Sequence, residues 1–165
     1  MLRPYVIAAL AVSISLTLAA CDSLDAQADY RADAAAAPAG FTRTVDGITL
    51  IEDDPDDWRT APRAVTSGFR VSVRAFPNPA DPQDAVNIGV SLTGELPGGL
   101  RLVGRTTSGR LIELDEQPEA SQPGTYFFQF VPAVLLEGAS GGLRRVILFE
   151  RQTSEPVTYG DVLIE

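Results

Sequence analysis

The chain has 165 residues, and its 22 Asp and Glu residues outnumber its 13 Lys and Arg residues, which gives a formal net charge of −9. This acidic balance argues against nucleic-acid binding, because neutralising backbone phosphates requires a basic surface. The sequence contains no His and no Lys, so it excludes Ser-His-Asp catalysis, His-ligated zinc, Schiff-base chemistry and P-loop nucleotide binding. We therefore expect a protein that is not an enzyme.

Residues 1–20 have the three parts of an export signal. Arg3 supplies the positive charge, the stretch from Tyr5 to Leu18 is uncharged and mostly apolar, and two small Ala residues precede Cys21. The apolar run is shorter than the roughly 20 residues that a membrane-spanning helix needs. We therefore predict a cleaved, helical signal peptide over residues 1–20.

The sequence Leu18-Ala19-Ala20-Cys21 resembles the lipobox of bacterial lipoprotein precursors. The resemblance implies that diacylglycerol alkylates the Cys21 thiol and that the signal is cut just before it. A lipid-anchored protein of the bacterial cell envelope would result, facing the periplasm or the cell exterior. Cys21 is the only cysteine, so an internal disulfide does not explain it. An ordinary signal peptide with an incidental Cys and an uncleaved anchor helix are the alternatives.

Two segments precede the main domain. Residues 21–40 are rich in Ala and Asp and show almost no apolar periodicity, which predicts a flexible, disordered tether. A random coil of that length spans about 25 Å. Residues 41–69 form an acidic N-terminal extension, in which Asp46-Gly47 between short apolar runs indicates a hairpin.

The acidic extension contains a candidate calcium site. Four carboxylates, Asp53, Asp54, Asp56 and Asp57, lie within five positions. Calcium is bound by six to eight hard oxygen ligands, which loops supply readily. The spacing does not follow an EF-hand loop, so a solvated acidic turn is the alternative. In that alternative, Trp58 holds the segment against the domain and no cofactor is bound.

Residues 70–165 alternate short apolar strands with Gly and Pro turns. The strand segments are 70–76, 86–92, 100–105, 110–114, 125–131, 143–149 and the pair 157–159 and 162–164. Residues 132–137 have room for one helical turn. About seven short strands separated by Gly and Pro turns predict an all-β fold, an antiparallel immunoglobulin-like β-sandwich.

The same region resembles the immunoglobulin-like modules at the C-termini of secreted Bacteroidota-type proteins, which include secretion-sorting domains. Four segments carry the resemblance: Phe76-Pro77-Asn78-Pro79-Ala80, Val86-Asn87-Ile88, Ser108-Gly109-Arg110-Leu111 and Pro123-Gly124-Thr125-Tyr126-Phe127. The chain continues beyond the Gly-x-Tyr strand and ends acidic, unlike a sorting domain. The resemblance therefore implies a structural module in a bacterial envelope and supplies no catalytic residues.

Strand alternation predicts one more candidate site. Tyr126, Phe128 and Phe130 share one face of their strand, and Phe127 lies on the other. Phe127 and Trp58 are therefore candidates for a partner surface, with Phe127 lying under the segment around Trp58 as the alternative.

We expect a lipid-anchored, non-catalytic structural or interaction module whose partner is an unidentified envelope protein or a polysaccharide. A calcium- or carbohydrate-binding accessory module is the second hypothesis. A carboxylate-based hydrolase using Glu113 with Asp115 or Glu116 is the third.

Overall fold

A computed structural model describes residues 25–44 and 46–165. The predicted signal peptide and Cys21 lie outside the described residues. The first described element is a helix over residues 25–35, α1. The strands are β1 (Arg43–Thr44), β2 (Leu50–Glu52), β3 (Arg70–Phe76), β4 (Val86–Leu92), β5 (Leu100–Arg105), β6 (Leu111–Gln117), β7 (Gly124–Phe130), β8 (Gly142–Glu150) and β9 (Pro156–Ile164). Two 3₁₀ turns cover Ala64–Ser67 and Pro132–Leu135.

Strands β3 to β9 form two antiparallel sheets. One sheet has the order β3-β4-β7 and the other has the order β6-β5-β8-β9. This confirms the predicted all-β, antiparallel, sandwich-like fold with seven main strands. The predicted bounds of β3, β4 and β5 match the structure residue for residue, and the two segments predicted at the C-terminus form one strand, β9.

The sandwich core comes from alternate residues on facing strands. Val146 and Leu148 of β8 are paired with Gly160 and Thr158 of β9, and with Gly104 and Leu102 of β5. In β7, Phe128 and Phe130 are buried in this core, whereas Phe127 is exposed. The face assignment predicted from the alternation of β7 is therefore confirmed.

The structure differs from the predicted tether over residues 25–40. Residues 25–35 form α1, and its Gln27, Tyr30 and Ala34 side chains are buried. These positions recur at spacings of three and four, so they share one face of the helix. This buried face is not visible in the sequence, because Tyr30 is its one large apolar residue and Ala and Gln differ little in hydropathy from the exposed residues around them.

Helix α1 covers the outer face of the four-stranded sheet. Tyr159 and Arg145 alternate with core residues along β9 and β8 and therefore point away from the core. The Tyr30 ring lies 5.2 Å from the Tyr159 ring, and the Arg145 guanidinium donates to the carbonyl of Asp33 (2.7 Å). Helix and sheet therefore form one packed unit.

The extension after α1 runs along the free edge of β9. The N–H groups of Trp58 and Ala61 donate to the carbonyls of Tyr159 (2.7 Å) and Val157 (2.9 Å). Farther along the edge, Asn78 accepts from the N–H of Leu163 (3.0 Å) and donates to the Asp161 carbonyl (2.9 Å). These bonds satisfy backbone groups that would otherwise invite pairing with another chain. The predicted hairpin around Asp46-Gly47 is confirmed by the pairing of β1 with β2.

Candidate functional site

A buried carboxylate joins the N-terminal extension to β9. Asp57 accepts hydrogen bonds from the N–H of Thr42 (2.7 Å) and from the N–H of Asp161 (2.9 Å). Burial raises the pKa of Asp57 to about 7; the hydrogen bond from Thr42 opposes this rise, and the negative charge of Asp161 adds to it. Both carboxylate oxygens are therefore used to hold the extension on β9.

A buried ion pair lies beside Asp57. Arg145 of β8 and Asp161 of β9 are cross-strand partners, and their side chains form a bidentate pair, with Nη2 donating to Oδ2 at 2.8 Å. Both side chains are almost fully buried. The Arg145 guanidinium also lies 4.6 Å from the centre of the Tyr159 ring. These contacts compensate the buried positive charge of Arg145, since a buried charge without a partner destabilises the folded state.

These groups border a cavity of about 210 Å³ between the extension and β9. Its polar lining consists of Asp33, Asp54, Asp56, Asp57, Arg59, Arg145, Tyr159 and Asp161. Asp57 is bound to backbone amides, and Asp161 is bound to Arg145. The two most buried carboxylates of this cavity therefore form hydrogen bonds that hold the fold together. We call the cluster of Asp57, Asp161 and Arg145 the latch.

The four carboxylates of the predicted calcium site have separate partners. Asp53 pairs with Arg74 (3.6 Å), Asp54 accepts from the N–H of Asp56 (3.0 Å), and Asp56 pairs with Arg59 (3.7 Å). Asp57 belongs to the latch. Within residues 25–44 and 46–165, no group of three or more His, Cys, Asp or Glu side chains is arranged to hold a metal ion.

The third hypothesis rested on Glu113, Asp115 and Glu116 of β6. Asp115 accepts hydrogen bonds from the N–H of Gln129 (2.9 Å) and from the N–H of Glu116 (2.8 Å). Glu116 pairs with Arg151 (3.2 Å). Asp115 therefore caps a backbone group on the free edge of β7, which is an edge-protecting contact.

The two residues of the predicted partner surface lie in different environments. Trp58 is only 5% exposed, whereas Phe127 is 58% exposed. A Cβ added at Gly160 would overlap the indole ring of Trp58, so the ring occupies the space that this glycine leaves on β9. Trp58 also adopts a left-handed backbone conformation (φ 61°), which a large residue adopts only where its surroundings hold it in place. Phe127 instead lies on the outer face of the three-stranded sheet.

Phe127 lies on the side of the three-stranded sheet where the β1–β2 hairpin packs. A Cβ added at Gly89 of β4 would lie 3.0 Å from both the Phe127 ring and the Val73 side chain, so the two residues flank this glycine. A Cβ added at Gly47 would meet Val73 from the other side, which places the β1–β2 hairpin beside it. The hairpin contributes the exposed side chains of Ile48, Leu50 and Ile51. We call this set (Phe127, Val73, Ile48, Leu50 and Ile51) the apolar outer face.

Sequence reasoning missed most of these residues. The sequence pattern predicts a hairpin around Ile48 and Ile51 but no surface role for them, and it predicts no role for Arg145 and Asp161. One signal was available: Asn78 lies between two prolines, which have no N–H to donate, so its side-chain amide is a candidate hydrogen-bond donor. The structure uses Asn78 in this way on β9.

Comparison of the chain with known protein families, with curated proteins and with solved structures found no match. Among the described residues, no helix is both long enough and apolar enough to cross a bilayer.

Proposed function

We propose that this protein is a lipid-anchored component of a bacterial cell envelope whose β-sandwich is a non-catalytic interaction module. The apolar outer face is the observation that carries the proposal. The partner binds to this apolar outer face, and the lipid on Cys21 holds the module at the membrane. The partner is another envelope protein with an apolar surface of its own.

The composition of the apolar outer face supports binding. Phe127, Ile48 and Ile51 all expose more than half of their surface, and several large exposed apolar side chains in one region are a feature of protein interaction sites. Arg74 and Asp53 form an ion pair at the side of the hairpin. An apolar centre with a polar border is the usual anatomy of a protein–protein interface.

A matched pair of variants tests the interaction. We expect F127S combined with I48S to abolish crosslinking of the protein to its partner in intact cells. L111S removes an exposed apolar side chain from the other sheet and should leave the crosslinked band unchanged. Melting temperatures of all variants should stay close to that of the parent. If the double variant keeps the band, the apolar outer face is not the binding surface. If the band instead contains polysaccharide, the carbohydrate hypothesis replaces the protein partner.

A single variant tests the anchor. We expect C21S to move the protein from the membrane fraction to the soluble fraction, because a Ser hydroxyl does not form the thioether to the lipid. D22N leaves the thiol in place and should remain with the membrane. Membrane retention of C21S would show that Cys21 is not the attachment point.

A further inference from the structure

The start of α1 limits how far the folded domain can lie from its anchor. Only residues 22–24 separate Cys21 from Asp25, the first described residue of α1. Four residue steps extend at most about 14 Å. The corresponding distance for the tether predicted from the sequence was about 25 Å. A lipid on Cys21 therefore holds the domain close to the bilayer.

The first turns of α1 belong to one end of the sandwich, which we call the anchor pole. The Gln27 side chain accepts a hydrogen bond from the N–H of Arg63 (3.2 Å), just before the first 3₁₀ turn, and donates to Glu155 (3.3 Å). Arg31 pairs with the same Glu155 (3.1 Å). The 3₁₀ turn Ala64–Ser67 and the loop between β8 and β9 thus lie beside the N-terminal half of α1.

The other end of α1 lies toward the opposite pole. Arg105, the last residue of β5, donates to the carbonyls of Ala35 (2.8 Å) and Ala36 (3.1 Å). The N–H of Thr107, two residues on, donates to Leu135 (3.0 Å) at the end of the second 3₁₀ turn. Strand β8 runs between the two poles over the nine residues Gly142–Glu150, which correspond to about 30 Å.

We propose that the anchor pole is the surface that faces the lipid bilayer, so that the domain stands on the membrane with its opposite pole outward. The inference rests on the proposed lipidation of Cys21. The acidic residues of this pole, Asp25, Asp29, Glu95, Glu150 and Glu155, outnumber its basic residues, Arg31, Arg63 and Arg151, so charge does not attract it to anionic lipid. The anchor pole contacts the headgroup region of the bilayer, because the lipid on Cys21 brings the pole to the membrane surface.

Two valines provide a matched pair of positions for measuring this orientation. Val65 at the anchor pole is 61% exposed, and Val134 in the second 3₁₀ turn is 52% exposed. Because Cys21 is the only cysteine and its sulfur is in a thioether when lipidated, V65C and V134C each give a single free thiol. The lipidated, full-length variants are labelled with a fluorophore and reconstituted into phosphatidylcholine vesicles that contain a headgroup-nitroxide lipid.

We expect quenching of the Val65 label to exceed that of the Val134 label by about threefold or more, because roughly 30 Å separates the poles. Q152C and S140C, at exposed positions in the corresponding loops, repeat the comparison if either valine variant fails to fold. Equal quenching at both poles, or stronger quenching at Val134, would overturn the inference while the protein still sediments with the vesicles. C21S should lose quenching at both positions. Vesicle binding by C21S would instead contradict the proposed anchor itself.

Discussion

The outer face of the four-stranded sheet is covered by α1, whereas the outer face of the three-stranded sheet exposes Phe127 beside the β1–β2 hairpin. The covered face includes the buried ion pair of Arg145 with Asp161, and the exposed face carries the Phe127 ring among polar neighbours. Both features are exceptions to the usual distribution, in which charged side chains face water and large apolar ones are covered. The contacts of the covered side stabilise the fold, whereas the side that carries Phe127 is the one that we propose for binding.

The largest expected effect is at Trp58, whose buried ring packs against the inward-facing Gly160 of β9. W58A should lower the free energy of unfolding by about 3–5 kcal/mol, because it empties the space between the extension and Gly160. F127A on the uncovered side should change it far less, since its ring is already more than half exposed. Urea denaturation of both variants measures the difference. Equal losses of unfolding free energy would show that the buried Trp58 ring and the exposed Phe127 ring contribute alike to stability.

The latch should contribute nearly as much as Trp58. R145A leaves Asp161 buried without its partner, and removing one member of a buried pair costs about 3 kcal/mol. The control is R110A, which breaks the exposed pair with Glu137 and should have little effect. Thermal unfolding at one pH compares the two variants. A small loss for R145A would mean that water reaches Asp161 in the folded protein.

A smaller effect is expected from the titration of Asp57. Its pKa rises from the ordinary 3.8 to about 7 on folding, so the folded state binds a proton that the unfolded state releases between these values. Stability from this group is complete below about pH 4 and is lost as the pH rises through about 7. The surrounding charged groups are Asp54, Asp161 and Arg145.

The melting temperature should therefore fall between pH 5 and pH 8, and D57N should flatten this slope. Asp46 and Glu137 do not obscure the measurement, because hydrogen bonds to their carboxylates lower their pKa values and place their titration below this range. A melting temperature that is constant from pH 5 to pH 8 in the parent protein would contradict the prediction.

The smallest effect is expected at the edge of the uncovered sheet. Asp115 and Gln117 bond to the N–H of Gln129 and the carbonyl of Phe127 on the free edge of β7. The double variant D115A/Q117A should lose about 1 kcal/mol or less, because these bonds are exposed. Self-association should increase, since the edge is then open to pairing. Concentration-dependent light scattering tests this, with E113A as the control variant on the same strand.

The sequence was most informative where alternation and turn residues agree. Strands β3 to β5 follow from period-two patterns bounded by Pro and Gly, and the inward side of β7 follows from its aromatic spacing. These features are local. Helix α1 was not predictable in this way, because its burial depends on Tyr159 and Arg145, which lie far along the chain.

The candidate site was less predictable than the fold. The spacing of Asp53 to Asp57 favours a solvated turn over a metal loop, but it does not reveal that Asp57 is buried and bonded to backbone N–H groups far along the chain. Phe127 was singled out correctly as an outward residue. Its neighbours from the hairpin were not, because the packing of Gly47 against Val73 joins segments about 25 positions apart in the sequence.

The attachment of the N-terminal segment to β9 also governs when the protein can finish folding. Gln27 and Glu155 are separated by 128 residues, and Asp57 and Asp161 by 104. Contacts between such distant residues form late, because the loop between them must first close. A chain that emerges N-terminus first would expose Tyr30 and Trp58 until β9 arrives. The appearance of the last strand therefore sets the earliest moment at which a native molecule can exist.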